Sequence, residues 1–193
     1  MLTIKNDVLD EHHRQRLCDW IVDSEHLSAF DTATESSDTR RSAFAVTYKS
    51  NDLPIALKFL KEKRANVYNI VAIVTYQSGD IPEHVDDDLT CYMRATNLIP
   101  EMYIKHPDTT SVYYVNVCDS MVGGETIFND HANNRHPITI GAEQNMMVTF
   151  SSNIPHRVNA MKCDSPRIVL VCEKYRFLKS ALPLIETPIY RKG

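Results

Sequence analysis

The sequence predicts a mainly antiparallel β fold, a sandwich or barrel with helical support. Three observations lead there. Two stretches with helical patterning come first, near residues 9–21 and 53–64. Seven or eight short runs rich in β-branched and aromatic residues follow, separated by turn residues. Strands segregated after helices argue against alternating βαβ units and a parallel sheet.

Taken in order, Leu9, His13, Leu17, Trp20 and Ile21 recur at offsets that share one helix face. Asn6 or Asp7 is placed to cap that helix, and Asp10 and Glu11 suit its positive end. Residues 31–43, rich in Thr, Ser and Asp, read as a loop. A second helix is expected from Leu53 to Arg64. Asp52 precedes it, Pro54 falls in its first turn, and Lys58, Lys61, Lys63 and Arg64 load its negative end. Val67–Tyr76 is the first strong strand run, and Ser111–Val117, Met146–Phe150 and Arg167–Val171 repeat its texture. Glu125–Phe128, Ile138–Ile140 and His156–Met161 are shorter candidates.

Composition narrows the class. At 193 residues, with 43% hydrophobic and 24% charged residues, the chain suits one globular domain rather than a disordered one. Residues 1–66 are expected to be mainly helical support, 67–176 the core and 177–193 a C-terminal tail. No run reaches the length of a membrane-spanning helix, and the first residues turn polar at once, unlike a secretory signal. A net charge of −4 argues against a nucleic-acid partner, which usually meets a basic face. Five cysteines, odd in number and without CxxC spacing, argue against structural zinc and a disulfide framework and fit a cytoplasmic setting.

The chemically suggestive segment runs from Tyr76 to Asp86. In an extended segment, residues two apart point to the same side, so His84 and Asp86 offer an imidazole and a carboxylate to one point. A third ligand from a distant strand would complete a two-histidine, one-carboxylate face that leaves open positions on an octahedral metal, as non-haem Fe(II) oxygenases require. The triplet alone is weak. Eight His and fifteen Asp give about 0.6 His-x-Asp triplets by chance, and a second copy stands at His106-Pro107-Asp108. Pro107 makes that copy a poor strand, and it reads as a loop.

Context adds specificity. A strand ending in Tyr76, a glycine turn and His84-x-Asp86 are followed by Val112-Tyr-Tyr114-Val-Asn116. Then come Gly123-Gly124-Glu-Thr-Ile-Phe128, the segment Pro155-His156-Arg-Val158, and Arg167 eleven residues past His156. In this order the motifs resemble the Fe(II)/2-oxoglutarate-dependent dioxygenases, most closely their prolyl-hydroxylase branch, across roughly residues 67–176.

The resemblance implies a double-stranded β-helix, or jelly roll, of about eight antiparallel strands with N-terminal α-helices. It implies Fe(II) held by His84, Asp86 and His156, with no catalytic residue beyond these ligands. The cosubstrates would be 2-oxoglutarate and O2, and ascorbate is a further cofactor the family suggests. A carboxylate entering an apolar interior needs a partner, and a guanidinium supplies two parallel donors, so Arg167 is the natural clamp. Its alternative is a strand arginine in a weak surface ion pair. Tyr114 is implied as a second donor to that carboxylate and Tyr76 as a third, unless either is a core aromatic. Many collagen-type relatives carry lysine where Arg167 stands, whereas the oxygen-sensing relatives and many small-molecule oxygenases use arginine.

The implied activity is hydroxylation of an unactivated C–H bond, with a prolyl residue of a protein or peptide as the leading substrate. A free amino acid or small metabolite is the alternative, and a non-catalytic jelly-roll binding protein is the second class. Nucleic-acid demethylation would need a basic groove, and Arg176 does not match the paired arginines of those relatives. The segment 87–111 reads as a lid or as a packed insertion. Asp87 and Asp88 read as exposed, and His131 and His136 as a solvated loop. No membrane association is expected.

Overall fold

The structure, a computed structural model, describes residues 1–24, 40–86, 106–129, 136–180, 182–184 and 189–191. In chain order these form β1 (Leu2–Lys5), α1 (Glu11–Val22), β2 (Arg40–Lys49), β3 (Val67–Ser78), β4 (Ile81–His84), β5 (Thr109–Asn116) and β6 (Val122–Gly123). There follow β7 (Thr126–Phe128), β8 (Ile138–Ile140), β9 (Met146–Ser151), β10 (His156–Val158), β11 (Met161–Tyr175) and β12 (Ile189–Arg191). A major sheet has the order β1-β9-β5-β11-β3-β2-β12, with β6 paired to the start of β11. A minor sheet has the order β4-β10-β7-β8. Every pairing among the described residues is antiparallel.

The period-two alternation of the long strands sorts their side chains to two faces of the major sheet. One face carries Phe44, Ile70, Ala72, Val74, Tyr113, Val115, Ile168 and Leu170, covered by Leu17 and Ile21 of α1 and by Leu57 and Leu60. The other carries Tyr114, Val148, Phe150 and Val169, which meet Phe128 and Ile140 of the minor sheet. Each fully buried large side chain contributes roughly 1.5–3 kcal/mol of burial. The two-layer packing therefore rests on residues such as Tyr113, Phe150 and Leu170, none more than 1% exposed.

Several expectations shift. The first helix starts at Glu11 and is capped by Asp10, whose side chain accepts the His13 N–H at 2.9 Å, not by Asn6 or Asp7. Leu17 and Ile21 are buried as the periodicity predicts. Arg14 joins them, its Nη1 donating to the Val115 carbonyl at 2.9 Å, while Trp20 is 43% exposed. The expected helix 53–64 is only a 3-10 turn over Ile55–Leu60. A three-residue repeat puts Leu57 and Leu60 on one side, and the charged residues after Leu60 stay outside it.

Residues 1–66, expected to be mainly helical support, also supply β1 and β2. The alternation in Ala43-Phe44-Ala45-Val46 carries β2 as the strand beside β3. The expected loop 31–43 falls outside the described residues up to 39, and from Arg40 it is strand. The tail contributes β12 on the far edge of β2. His156–Met161 divides into β10 and the start of β11, which then runs to Tyr175 across an irregularity between Lys162 and Arg167. No helix among the described residues is long and apolar enough to cross a membrane.

Candidate metal centre

Past Gly79 and Asp80 the path of β3 carries on into β4 of the minor sheet, and β10 and β11 run antiparallel along it, with Met161 opposite Ser78 and His156 the register partner of His84. Directly opposed residues share a face, so the two imidazoles meet with ring centroids 4.4 Å apart. Asp86, two residues beyond His84, brings Oδ1 to 3.9 Å from His84 Nε2 and 3.8 Å from His156 Nε2. One ligand atom from each of the three residues lies within 4.8 Å of the others.

The histidines are oriented by the same device. His84 Nδ1 donates to the Pro82 carbonyl at 2.8 Å, and His156 Nδ1 to the Ile154 carbonyl at 3.1 Å. A carbonyl only accepts, so the proton sits on Nδ1 and the Nε2 lone pair faces the cluster, the arrangement metal-binding histidines need. Burial among apolar neighbours holds the His156 imidazole below its ordinary pKa, against the opposing pull of Asp86, which keeps it neutral and able to ligate. The rings of Phe150 and Phe128 stand 4.9 and 5.6 Å from it. Asp86 Oδ2 is buried without a hydrogen-bond partner. A buried carboxylate oxygen without a proton donor is unfavourable unless a cation completes it, so the donor set fits a divalent metal. The side chains are 39% (His84), 11% (Asp86) and 7% (His156) exposed, so the cluster opens on the His84 side.

Arg167 and Tyr114 come together on the face that looks toward the minor sheet. The guanidinium carbon stands over the Tyr114 ring, 5.3 Å from its centroid, and the Tyr114 hydroxyl hydrogen-bonds Thr126 Oγ1 at 3.3 Å. Arg167 Nη1 also points to Met161 Sδ at 3.4 Å. Asn116 Nδ2 donates to the Pro166 carbonyl at 2.8 Å and so pins the residue just before the arginine. Tyr76 is not brought to this pair. It packs against the helix-covered core, on the opposite face of the sheet, because it shares the parity of Val74 and not of Thr75, the register partner of Arg167.

Sequence reasoning missed the neighbours that shape these groups. Phe128 and Phe150 wall His156, Thr126 anchors Tyr114, and Gly124 makes room for the arginine. A Cβ on Gly124 would lie 3.1 Å from Arg167 Nη1. The adjacent glycines inside a strand pattern were the available signal, since they mark a close approach.

Of the remaining candidates, His106 is exposed and leads into β5 through the Asp108 N–H, which donates to the Lys174 carbonyl at 2.8 Å. His106 and Asp108 take no part in the cluster. His136 and Arg176 are exposed. Asp87, Asp88, His131 and residues 87–105 of the segment 87–111, read as a lid or a packed insertion, lie outside the described residues.

No family model and no curated protein matches the sequence. Solved structures do resemble the fold. A Pseudomonas putida prolyl-4-hydroxylase superposes with a TM-score of 0.57 at 11% identity, covering 91% of this chain and 92% of its own. A Burkholderia pseudomallei oxidoreductase of the 2OG-Fe(II) oxygenase family gives 0.55 at 14% identity, covering 91% and 84%. A Trichoplax adhaerens prolyl hydroxylase, in complex with a hypoxia inducible factor oxygen degradation domain peptide fragment, gives 0.57 at 14% identity, covering 91% and 83%. The chain has the jelly-roll fold of these oxygenases, mainly antiparallel β in two sheets with few helices.

Proposed function

We propose that this protein is an Fe(II)- and 2-oxoglutarate-dependent dioxygenase that hydroxylates an unactivated C–H bond. The observation that carries this reading is the meeting of His84, Asp86 and His156 in one cluster, with their free ligand atoms turned to one another. These three residues would hold the iron. When bound, that iron supplies the activation of O2 that protein side chains cannot provide.

The remaining work falls to the chain. Pro82 and Ile154 fix the imidazole tautomers through their carbonyls. Phe128 and Phe150 keep water from the His156 side, which strengthens every electrostatic contact within. Arg167, seated over Tyr114, presents its donors to the far carboxylate of 2-oxoglutarate, and the ring holds it in place. Tyr114 adds its hydroxyl once it turns from Thr126.

The leading substrate is a prolyl residue of a protein or peptide. Its supports are the motif order and the fold shared with two prolyl hydroxylases, one of them in complex with a peptide. His84 lies on the exposed rim of the cluster, where a peptide reaches it from solvent.

Anaerobic addition of Fe(II) and then 2-oxoglutarate tests the class. A visible metal-to-ligand band is expected, lost in His84→Ala, and a colourless mixture overturns the proposal. Mass spectrometry of proline-containing peptides incubated with iron, oxygen and 2-oxoglutarate tests the substrate. The expected result is a 2-oxoglutarate-dependent gain of one oxygen on proline, and a gain confined to free amino acids moves the assignment to a small-molecule oxygenase.

A further inference from the structure

The turn that follows the 3-10 stretch and the chain leaving β11 are bound into one surface, at the end of the major sheet where β3 begins. The Asn66 side chain accepts the Phe177 N–H at 2.9 Å and donates to the Phe177 carbonyl at 2.8 Å, and the Asn66 N–H donates to the Tyr175 carbonyl at 2.9 Å. The Tyr68 hydroxyl accepts the Glu62 N–H at 3.2 Å and reaches the Glu62 and Ala65 carbonyls at 3.2 and 3.3 Å. Both segments are therefore held from beneath by side chains, and what they present outward is fixed.

What they present is cationic and aliphatic. A three-residue repeat sends Leu57 and Leu60 into the core and leaves Ile55, Lys58 and Lys61 on the outer side. Lys63 and Arg64 follow on the turn, both exposed. Arg176 and Leu178 stand outward on either side of buried Phe177, with exposed Lys179 next to them. Ile55 is 83% exposed and Leu178 69%, so the basic strip carries a bare aliphatic side chain toward each end. Glu62, the acid inside the run, is engaged by Thr109 Oγ1 at 2.9 Å and Lys174 Nζ at 3.5 Å, and Asp52 shares its turn with Lys49. Six exposed cations thus stand together on a chain whose net charge is −4.

We propose that this strip docks the protein on an anionic lipid membrane, with Ile55 and Leu178 entering the acyl boundary and the cations meeting the headgroups. Two features favour lipid over other polyanions. Nucleic acid is held through phosphates, base edges and aromatic stacking, and the strip has no exposed aromatic side chain and twice as many lysines as arginines. Bare aliphatic side chains add nothing to a phosphate contact, whereas a bilayer surface takes apolar and cationic groups together. The negative balance of the rest of the chain is repelled by the same surface, so the strip is the side that faces it. Such binding is peripheral and reversible and needs no spanning helix. It departs from the expectation of no membrane association that the sequence alone gives, and it does not depend on the oxygenase assignment.

The test uses the full chain and vesicles of phosphatidylcholine, pure or with about one-third phosphatidylserine. Co-sedimentation should carry the protein down with the anionic vesicles and leave it in solution with the neutral ones. Raising salt from about 0.05 to about 0.5 M should weaken binding at least 10-fold. Lys58→Gln with Lys61→Gln should weaken it about 30-fold, and Ile55→Ser with Leu178→Ser at least about 10-fold. All four positions are exposed, so circular dichroism should read the wild-type fold in each variant. Lys5→Gln, on β1, should bind as wild type does. Protein that stays in solution with the anionic vesicles overturns the proposal, and so does binding that survives loss of Ile55 and Leu178 undiminished. Capture by poly-glutamate or by duplex DNA, with the vesicles left bare, overturns the lipid assignment and gives the strip to that polyanion.

Discussion

His156 faces His84 across adjacent strands of the minor sheet, their rings 4.4 Å apart, yet the two sit in unlike surroundings. His84 is at the exposed rim, whereas His156 is packed between Phe128 and Phe150. Loss of either should remove Fe(II) binding by more than the ~10–100-fold that follows loss of an outer partner of a metal ligand. Stability should separate them. His156→Ala empties a buried space and should lower unfolding free energy by about 2 kcal/mol, while His84→Ala should change it by under about 0.5 kcal/mol. Urea unfolding of the metal-free variants, paired with Fe(II) titration, checks both. Equal destabilisation by the two would contradict the packing described.

Asp86 is held ready for a cation it must do without when metal-free. Its Oδ2 is buried with no hydrogen-bond partner, and the nearest imidazole, His156, is kept neutral by burial. Asp86→Asn removes the charge, keeps the shape and supplies an amide that can donate. We expect the metal-free variant to be more stable by about 1 kcal/mol, while its affinity for Fe(II) collapses. Thermal unfolding in the presence of a chelator measures the first effect. A loss of stability would mean that the carboxylate is satisfied by ion pairing with the histidines, not by a metal.

Arg167 is seated by the Tyr114 ring below and by the Asn116 tie to Pro166 behind. Two parallel charge-assisted hydrogen bonds contribute roughly 1.5–3 kcal/mol each. Arg167→Ala should therefore weaken 2-oxoglutarate binding by at least about 100-fold. Arg167→Lys keeps the charge without the fork and should weaken it by about 10-fold. Isothermal titration with 2-oxoglutarate on the Fe(II)-loaded, oxygen-free protein reads these values, with Fe(II) affinity itself unchanged. An unaltered affinity in Arg167→Ala would place the cosubstrate elsewhere.

How far the sequence revealed this depends on whether a feature is local. The β-branched runs of β3, β5, β9 and β11 were legible because each is long, two-faced and rich in strand formers. The cluster was legible because His84-x-Asp86 and Pro155-His156 lie in short motifs. β1 was missed because a four-residue edge strand with three exposed residues has almost no periodic signal. The turn over Ile55–Leu60 imitates a helix because residues three apart share a side in both geometries. Tyr76 was drawn to the arginine by its place at the end of β3. Its face depends on the register across the irregular part of β11, and register is a property of the pairing rather than of either strand.

Gly123 and Gly124 share positive φ angles, 78° and 79°, but should fail differently when substituted. A Cβ at Gly123 would stand 1.9 Å from the Ala160 carbonyl oxygen, which already accepts the Gly124 N–H at 3.1 Å. Backbone cannot yield there without breaking the pairing of β6 with β11. Gly123→Ala should thus lower stability by about 3 kcal/mol or more. At Gly124 the nearest atom is Nη1 of a flexible arginine, 3.1 Å away, followed by Met161 Cβ at 3.3 Å. The arginine can move, so Gly124→Ala should incur only the left-handed backbone strain, about 1–2 kcal/mol. Its larger effect is to push Arg167 off the Tyr114 ring, and 2-oxoglutarate should bind about 10-fold more weakly to protein that still folds. Denaturation and cosubstrate titration on the two variants separate a structural glycine from one that keeps the clamp in place. If Gly124→Ala binds 2-oxoglutarate as wild type does, the arginine tolerates displacement and its seat on Tyr114 is not what aims it.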